Sequence, residues 1–226
     1  MEKISCIIPA YNESGQIEKI LKTVEGHPLI NEIIVVDDAS KDGTAELVKK
    51  YKNVLLVRHE KNQGKSRAIV SGVRASKGKY LFFLDADLIG LTPENITDLI
   101  RPVISGKADI SISLRKNAPG LYRKIGIDFV SGERVFPKEL IAEHLGEIEK
   151  ISGYGLETFM NKLIIKNNYR IKIVPWDNVL SPWKSWKVGK LRGFWGEIKM
   201  DMEILRIEPI FGIIRMIVKM RSLRVD

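Results

Sequence analysis

Short apolar runs alternate with amphipathic segments along the first two thirds of the chain. The apolar runs have the length of buried strands, and they cover residues 4–8, 32–36, 54–57 and 80–84. The segments between them place apolar residues three and four positions apart, as on one face of a helix. Strands and helices that alternate in this way predict βαβ units, a mostly parallel sheet and an α/β fold.

Polar residues and prolines mark where helices are expected to begin. Asn12 or Ser14 is expected to cap the first helix. Further helix starts are predicted at Pro137, at residues 153–157 and at Pro209, and further strands at residues 109–114 and 170–174. The sheet is therefore expected to continue through the second half, before a final helix.

The fourth apolar run leads directly into two carboxylates, Asp85 and Asp87. Bare carboxylates are too costly inside a buried strand, so we expect them at the carboxyl edge of the sheet, where α/β folds bind ligands. Residues two positions apart on a strand point the same way, so a cation is needed between them. Oxygen ligands beside a diphosphate suit Mg²⁺ or Mn²⁺. The alternative is a solvated Asp-x-Asp turn.

Polar residues also follow the first two predicted strands. Tyr11 and Glu13 come after the first strand, and Asp37 and Asp38 come after the second. Because the carboxyl ends of parallel strands meet at one edge, these side chains and the Asp-x-Asp pair predict a single acidic pocket.

Composition narrows the class of protein. With 226 residues and 44% apolar content, the chain can bury a sizeable core. A single cysteine, Cys6, excludes a disulfide framework and favours a reducing, cytoplasmic compartment. No signal peptide is recognised, and no apolar run reaches transmembrane length.

The net charge of +9 is concentrated near the C-terminus. From residue 160 onward there are 14 lysines and arginines against 6 aspartates and glutamates, together with all four tryptophans. This asymmetry predicts a basic, aromatic C-terminal module that faces a membrane, a nucleic acid or a phosphorylated substrate.

Two familiar nucleotide-binding motifs can be excluded. The Gly64-Lys65-Ser66 segment matches the end of a P-loop, but the position of the required first glycine is His59. No Gly-x-Gly-x-x-Gly pattern follows the first strand, so a dinucleotide-binding fingerprint is absent.

Four motifs in order resemble those of family-2 glycosyltransferases with the GT-A fold. They are Pro9-Ala10-Tyr11-Asn12-Glu13, Asp37-Asp38-Ala39-Ser40-x-Asp42-Gly43-Thr44, Asn62-x-Gly64-Lys65-x-x-Ala68 and Asp85-Ala86-Asp87. The Asp85-Ala86-Asp87-Leu88 form is similar to the dolichyl-phosphate mannose synthase branch and its polyprenyl-phosphate relatives. The resemblance extends to about residue 175. It implies a Rossmann-like GT-A domain at 1–175 and a basic helical extension at 176–226.

The resemblance also implies a donor site. Asp87 would hold the cation on the diphosphate and would thereby be catalytic, and Asp85 would face the ribose or the cation. The nucleotide of a UDP- or GDP-sugar would contact Pro9, Ala10, Tyr11, Glu13, Asp38, Lys65, Asp85 and Ala86. Mannose synthase relatives often carry a polar metal ligand two residues after the second aspartate, where this chain has Ile89. Water is expected to complete the coordination.

The acceptor side is predicted from basic residues at later positions. By resemblance, Arg134 of the Ser-Gly-x-Arg segment would pair with a phosphate. Arg115, at the end of a predicted strand, and Lys184 and Lys187, in a loop rich in tryptophan and lysine, are the other candidates. A solvated basic turn and a flexible loop are the competing interpretations. Related loops often carry histidine where Ser181 stands, so no catalytic role is assigned to Ser181.

Glu157 matches the acidic position that serves as general base in inverting family members. A hydroxyl acceptor needs such a base, whereas a phosphate acceptor is already anionic. The alternative is a carboxylate that only favours the start of its helix through the helix dipole.

The predicted final helix combines a wide apolar arc over residues 210–223 with a polar stripe of Arg215, Lys219 and Ser222. This pattern is typical of a helix that lies in a membrane interface. A helix packed on the core or in a dimer is the alternative.

The sequence thus predicts a peripheral-membrane enzyme on the cytoplasmic face. It would move a sugar from a nucleotide-sugar to a lipid-phosphate acceptor, with inversion and without a nucleic-acid partner. A soluble transferase for a small phosphorylated or hydroxylated acceptor is the first alternative. A binding protein without turnover, for nucleotide-sugars or nucleic acid, is the second. The sequence does not specify the sugar, the base or the oligomeric state.

Overall fold

The computed structural model describes residues 3–151, 155–182 and 209–226, and within them seven strands form one sheet. The strands are β1 (Ile4–Ala10), β2 (Glu32–Asp37), β3 (Val54–Arg58), β4 (Tyr80–Phe83), β5 (Ile110–Arg115), β6 (Arg134–Pro137) and β7 (Ile171–Trp176). Their order across the sheet is β3-β2-β1-β4-β6-β5-β7. Only β6 runs antiparallel to its described neighbours, β4 and β5.

Helices connect the strands and cover both faces of the sheet. In the described ranges they are α1 (Ile17–Val24), α2 (Thr44–Val48), α3 (Lys65–Ala75), α4 (Pro93–Ile104), α5 (Gly120–Ile125), α6 (Glu139–Ala142), α7 (Leu145–Ile148), α8 (Gly155–Lys166) and α9 (Ile210–Ser222). The predicted α/β fold with a mostly parallel sheet and a C-terminal helix is confirmed. Because β1, β2, β4 and β5 run in one direction, their carboxyl ends lie along one edge.

The two faces of the sheet bury two apolar clusters. Alternate residues of β1 take part in each, because side chains alternate across a strand: Ile7 belongs to the cluster that includes residues of α3, α8 and α9, whereas Ile8 belongs to the cluster that includes residues of α1 and α4. Gly72 of α3 sits against the sheet so closely that a Cβ there would lie 2.4 Å from Ile7 Cγ2. The sheet is therefore sandwiched tightly between two helical layers.

Two details of the predicted secondary structure differ from the observed one. The helix expected to start at Pro137 begins two residues later, as α6 at Glu139, and Pro137 itself ends the strand β6. Val135 and Phe136 are fully buried between β4 and β5, and a proline is tolerated at the end of a strand. The first helix is capped by Gln16 without a side-chain hydrogen bond, and not by Asn12 or Ser14.

Helix α9 packs one side against the core and exposes the other. Met216 and Met220 are buried on the inner side, in the cluster shared with α8. The outer side exposes four large apolar residues, Ile210, Phe211, Ile214 and Val218. Among the described residues, no helix is long and apolar enough to cross a bilayer.

Candidate active site

The polar residues at the carboxyl edge converge where β1 and β4 end and where β6, α3 and α8 begin. They surround a small cavity of about 10 Å³, which is roughly the space of one water molecule. Its polar lining comes from Lys65, Asp85, Arg134 and Glu157. Four segments that are distant in sequence therefore meet at one point.

Lys65 joins two of these carboxylates. Its Nζ lies 2.8 Å from Asp85 Oδ1 and 3.3 Å from Glu157 Oε1. Burial lowers the pKa of Lys65, but the Asp85 and Glu157 carboxylates more than offset this, and the net shift is upward. The ammonium therefore stays charged at physiological pH and bridges the Asp-x-Asp motif and helix α8.

Gly132 makes this close approach possible. A Cβ at this position would lie 2.9 Å from both Asp85 Oδ2 and Lys65 Nζ. Any larger residue would push into the ion pair, so the glycine of the Ser-Gly-x-Arg segment is explained by packing against the site.

Glu133, next to this glycine, is fully buried behind the Asp-x-Asp motif. Its Oε2 accepts hydrogen bonds from Ser113 Oγ at 2.9 Å and from Ser131 Oγ at 2.8 Å. Burial raises the pKa of Glu133, Arg115 partly offsets this, and the Asp85 carboxylate raises it further. The cluster as a whole sets four acidic side chains (Asp85, Asp128, Glu133, Glu157) against three basic ones (Lys65, Arg115, Arg134).

Arg115 pairs with buried acids. Its NH2 lies 3.0 Å from Asp128 Oδ2, its NH1 lies 3.6 Å from Glu133 Oε1, and its side chain is only 13% exposed. The guanidinium thus holds the end of β5 to the start of β6. The contact between Arg115 and an acceptor phosphate stays a prediction.

Arg134 is fully buried beside the cavity. Its NH1 donates to Asn161 Oδ1 at 3.1 Å, and its NH2 donates to the Ser131 carbonyl. Within the described residues, Arg134 Nε and Glu157 Oε2 are buried without a hydrogen-bond partner. Since both residues line the cavity, a polar ligand group or a water would satisfy them.

The part of the edge after β2 is organised around Asp38. Its carboxylate accepts from the backbone N–H groups of Gln63 at 2.8 Å and Gly64 at 2.7 Å, and it lies 2.7 Å from His59 Nδ1. The other ring nitrogen, His59 Nε2, lies 2.8 Å from Ser71 Oγ. Asp38 therefore holds the loop that leads to Lys65. No local pattern in the sequence points to His59, because its contact with Asp38 spans 21 residues.

A second loop brings the Tyr11 segment to the same edge. Glu13 N donates to Thr44 Oγ1, and Ser14 N donates to Asp42 Oδ2, both at 2.9 Å. The Tyr11 side chain is 45% exposed and stands beside this edge. The two strand-end loops therefore support each other across the sheet.

The profile of glycosyl transferase family 2 matches residues 5–136, which is more than half of the chain. The chain belongs to this family. The predicted family and the prediction of a glycosyltransferase are confirmed. The matched range contains all four motifs, together with Arg115, Gly132 and Arg134.

Relatives extend the match beyond the motifs. An uncharacterized protein of Methanocaldococcus jannaschii is 38% identical over 194 residues, which cover 73% of this chain and 83% of that protein. A dolichyl-phosphate beta-glucosyltransferase of Dictyostelium discoideum is 30% identical over 178 residues, covering 72% of this chain. That match spans 50% of the Dictyostelium protein.

A solved structure has the same fold. Glucosyl-3-phosphoglycerate synthase from Mycobacterium tuberculosis, in complex with Mn²⁺, uridine diphosphate and glucosyl-3-phosphoglycerate, superposes with a TM-score of 0.67. The match covers 91% of this chain and 80% of the synthase at 21% identity. At this identity the likeness establishes the GT-A type of fold.

The remaining predicted site residues fall into four groups. Pro9 lines the cavity, whereas Ala10 and Ala86 are buried in the core beneath the edge. Asp87 is half-buried in the loop after β4. Lys184 and Lys187 lie outside the described residues, and their acceptor role stays a prediction.

The chain after β7 lies against the loop that carries Asp87. Ile89 and Leu180 exchange two backbone hydrogen bonds of 2.9 Å, and Asn178 Nδ2 donates to the Gly90 carbonyl at 2.7 Å. The Asp87 loop is thus held to the chain after β7 by backbone and amide contacts.

Asp42 offers a test of how the two strand-end loops are held. Burial opposes its ionisation, but the hydrogen bonds from Thr44 and Ser14 together outweigh this and lower its pKa from 3.8 to about 2. A lowered pKa in the folded state stabilises the protein above pH 3.8, and this contribution is lost as the pH falls towards about 2. Asp42→Asn should therefore destabilise the protein modestly at neutral pH, and the difference should shrink in acid.

Urea denaturation of both proteins at about pH 7, 3 and 2 measures that difference across the titration range. Asp98→Asn, on the exposed side of α4, is the matched control and should stay within about 0.5 kcal/mol of the parent. A constant difference between Asp42→Asn and the parent at every pH would contradict the assignment.

Proposed function

We propose that this family-2 enzyme transfers a sugar from a nucleoside-diphosphate sugar to the phosphate of a polyprenyl-type lipid, with inversion at the sugar carbon. The observation that carries the proposal is the bridge from Asp85 through Lys65 to Glu157, which brings the Asp-x-Asp motif next to the start of α8. The name of the Dictyostelium relative, a dolichyl-phosphate glucosyltransferase, supports a lipid-phosphate acceptor. The donor would bind along the edge between Tyr11, Asp38 and Asp85.

The carboxylates at the edge fit a divalent cation that is shared with the donor. The described residues contain no group of three or more His, Cys, Asp or Glu side chains able to enclose a metal. Asp85 and Asp87 would therefore supply two oxygens, and water and the diphosphate would supply the rest, as is usual for Mg²⁺. When bound, the cation would neutralise negative charge on the departing nucleoside diphosphate. The Mn²⁺ in the synthase complex supports this proposal.

The residues of the chain have separate tasks in the proposed reaction. An acceptor oxygen attacks the anomeric carbon, the bond from that carbon to the diphosphate breaks, and the nucleoside diphosphate leaves. Arg134 and Lys65 place positive charge beside the cavity where anionic groups would meet. Glu157 would remove a proton only from a hydroxyl acceptor, because an ionised phosphate has none to give up.

The test of the function is a panel of UDP- and GDP-sugars with polyprenyl phosphate in the presence of Mn²⁺ or Mg²⁺. We expect a lipid-linked sugar from at least one donor, with the anomeric configuration reversed by NMR. Turnover only with a small phosphorylated or hydroxylated acceptor would replace the lipid proposal. Donor binding without any turnover would favour a binding protein.

Glu157→Gln separates the two kinds of acceptor. With a lipid phosphate the change should affect the turnover number by less than about tenfold, whereas with a hydroxyl acceptor it should lower it by about 10²-fold or more. Lys162→Gln, on the exposed side of the same helix, is the control. A loss of about 10²-fold with a phosphate acceptor would contradict the assignment of that acceptor.

Helix α9 provides the surface that we propose for membrane contact. Its outer side combines four exposed apolar residues, among them Phe211 at 82% exposure, with the exposed cations Arg215 and Lys219. Its 13 residues span about 20 Å at 1.5 Å per residue, less than a hydrocarbon core of about 30 Å. An anionic leaflet complements both features, because the apolar side chains can enter the interface while the cations face the headgroups.

The double change Arg215→Glu with Lys219→Glu should weaken binding to anionic vesicles by about tenfold or more, since each cation contributes about 1 kcal/mol near such a surface. Co-sedimentation with phosphatidylglycerol vesicles measures this, and nucleotide binding should not change. Lys49→Glu with Lys50→Glu reverses the same charges after α2 and should bind vesicles like the parent. A parent protein that does not sediment would favour a dimer or core contact for this surface.

A further inference from the structure

Lys65 occupies a position that a divalent cation would need. Its ammonium lies 2.8 Å from Asp85 Oδ1, and the other oxygen, Oδ2, faces Gly132. A Mg²⁺ or Mn²⁺ ion binds carboxylate oxygen at about 2.1 Å, so an ion on Oδ1 would be within a few ångströms of the ammonium. Two cations so close repel each other, and they therefore compete for Asp85.

The ammonium has a second anchor on the opposite side. Glu157 Oε1 lies 3.3 Å from Nζ, and Lys65 begins helix α3, whose preceding loop is tied to Asp38 through the backbone of Gly64. The Lys65 side chain is 37% exposed, so its terminal group can move without disturbing the core. It can leave Asp85 while it remains at the site.

We propose that Lys65 is a positioning residue that occupies Asp85 in the donor-free protein and moves to the diphosphate when the donor binds, so that the cation and the nucleotide bind cooperatively. This inference rests on the proposed function and adds a binding order to it. An anionic diphosphate attracts the ammonium and leaves an oxygen of Asp85 for the cation. Because linkage is reciprocal, the nucleotide should strengthen cation binding by the same factor as the cation strengthens nucleotide binding.

The geometry predicts the effect of removing the charge. Removing the ammonium takes one positive charge away from the acidic side chains of Asp85, Glu133 and Glu157. The site then attracts a divalent ion more strongly. Lys65→Met should therefore bind Mn²⁺ about tenfold more tightly than the parent when no nucleotide is present, which corresponds to an electrostatic gain of about 1.4 kcal/mol. Lys65→Gln should behave in the same way and serves as a second neutral variant. Lys65→Arg keeps the charge and should bind as weakly as the parent.

The experiment follows free Mn²⁺ by electron paramagnetic resonance, with and without UDP or GDP, and it requires no turnover. Lys61→Met is the matched control, because Lys61 is an exposed lysine in the same loop and its loss changes the net charge equally. In the parent and in this control, nucleotide should tighten Mn²⁺ binding about tenfold or more. In Lys65→Met and Lys65→Gln, the part of that gain that comes from displacing the ammonium should be missing, whereas the part that comes from direct contact of the cation with the diphosphate should remain.

The possible results distinguish this inference from the proposed function. If the neutral variants bind Mn²⁺ like the parent without nucleotide, while nucleotide still strengthens binding in all proteins, the role of Lys65 is overturned and the metal-dependent donor site stands. If Lys61→Met matches Lys65→Met, the effect is general electrostatics and the inference fails. If the parent binds no Mn²⁺ with either nucleotide, the proposed metal site fails and this inference fails with it.

Discussion

Asp87→Ala should abolish sugar transfer and leave the fold intact. If Asp87 supplies an oxygen to the cation on the diphosphate, its loss removes stabilisation of the leaving group worth several kcal/mol. Each 1.36 kcal/mol is a factor of ten in rate, so the turnover number should fall by about 10³-fold or more. The fold should survive, because Asp87 is half-buried and its loop is held by the Ile89–Leu180 backbone pair.

Transfer assays with Mn²⁺ or Mg²⁺, together with thermal unfolding, test both parts of this expectation. Asp98→Ala removes an exposed carboxylate from α4, the next helix, and should keep parental activity. Manganese binding should be weakened in Asp87→Ala. Parental turnover of Asp87→Ala, or of the parent protein in excess chelator, would exclude the metal assignment.

The sequence predicted the parts of the site that depend on local pattern. Apolar periodicity located β1, β2, β3 and β4, and parallel topology then placed the residues after these strands on one edge. The contact of Lys65 with Asp85 was not predicted, because the pattern placed only carboxylates and Tyr11 at that edge. Family motifs pointed to the same residues independently.

Other parts depend on contacts between distant segments and had no local signal. The short run around Val135 and Phe136 became a strand because it fills the gap between β4 and β5, and Phe136 packs edge-on against Phe83 at 4.8 Å. His59 contacts Asp38, but the sequence distinguishes it only because it stands where a P-loop would need its first glycine. Periodicity reports which residues are buried, but not which strands become neighbours.

The charges that will surround a residue are equally hard to predict from sequence, as the candidate acceptor residue Arg115 shows. Arg115 was singled out as a cation at the end of a strand, where it could meet a phosphate. The sequence did not show that two buried carboxylates, Asp128 and Glu133, would face it. A basic residue at the end of a strand can therefore either contact a ligand or balance the charge of buried carboxylates. Only the tertiary structure shows that Arg115 does the second.

Arg115→Met should have the largest effect on stability, lowering the free energy of unfolding by about 3–5 kcal/mol at neutral pH. The change leaves Asp128 and Glu133, both fully buried, without their counter-charge, which is the costly way to break a buried ion pair. Arg101→Met, on the exposed side of α4, removes an equal charge and should stay within about 0.5 kcal/mol. Urea denaturation of the two variants and the parent measures the difference.

The pH dependence of Arg115→Met distinguishes a missing counter-charge from a packing defect. Burial already raises the pKa of Glu133 above 4.5, and without Arg115, which opposes that shift, it should rise further. A raised pKa of a carboxyl in the folded state does not destabilise the protein below the pKa of the unfolded state, because the carboxyl is then protonated in both states. Stability is lost as the pH rises through the pKa of the folded state, because the buried carboxyl resists ionisation. The deficit should therefore be smaller at about pH 4.5 than at about pH 7, and adding Asp128→Asn and Glu133→Gln should restore part of the stability. A deficit that is independent of pH and is not relieved by the neutral partners would show that Arg115 acts through packing alone.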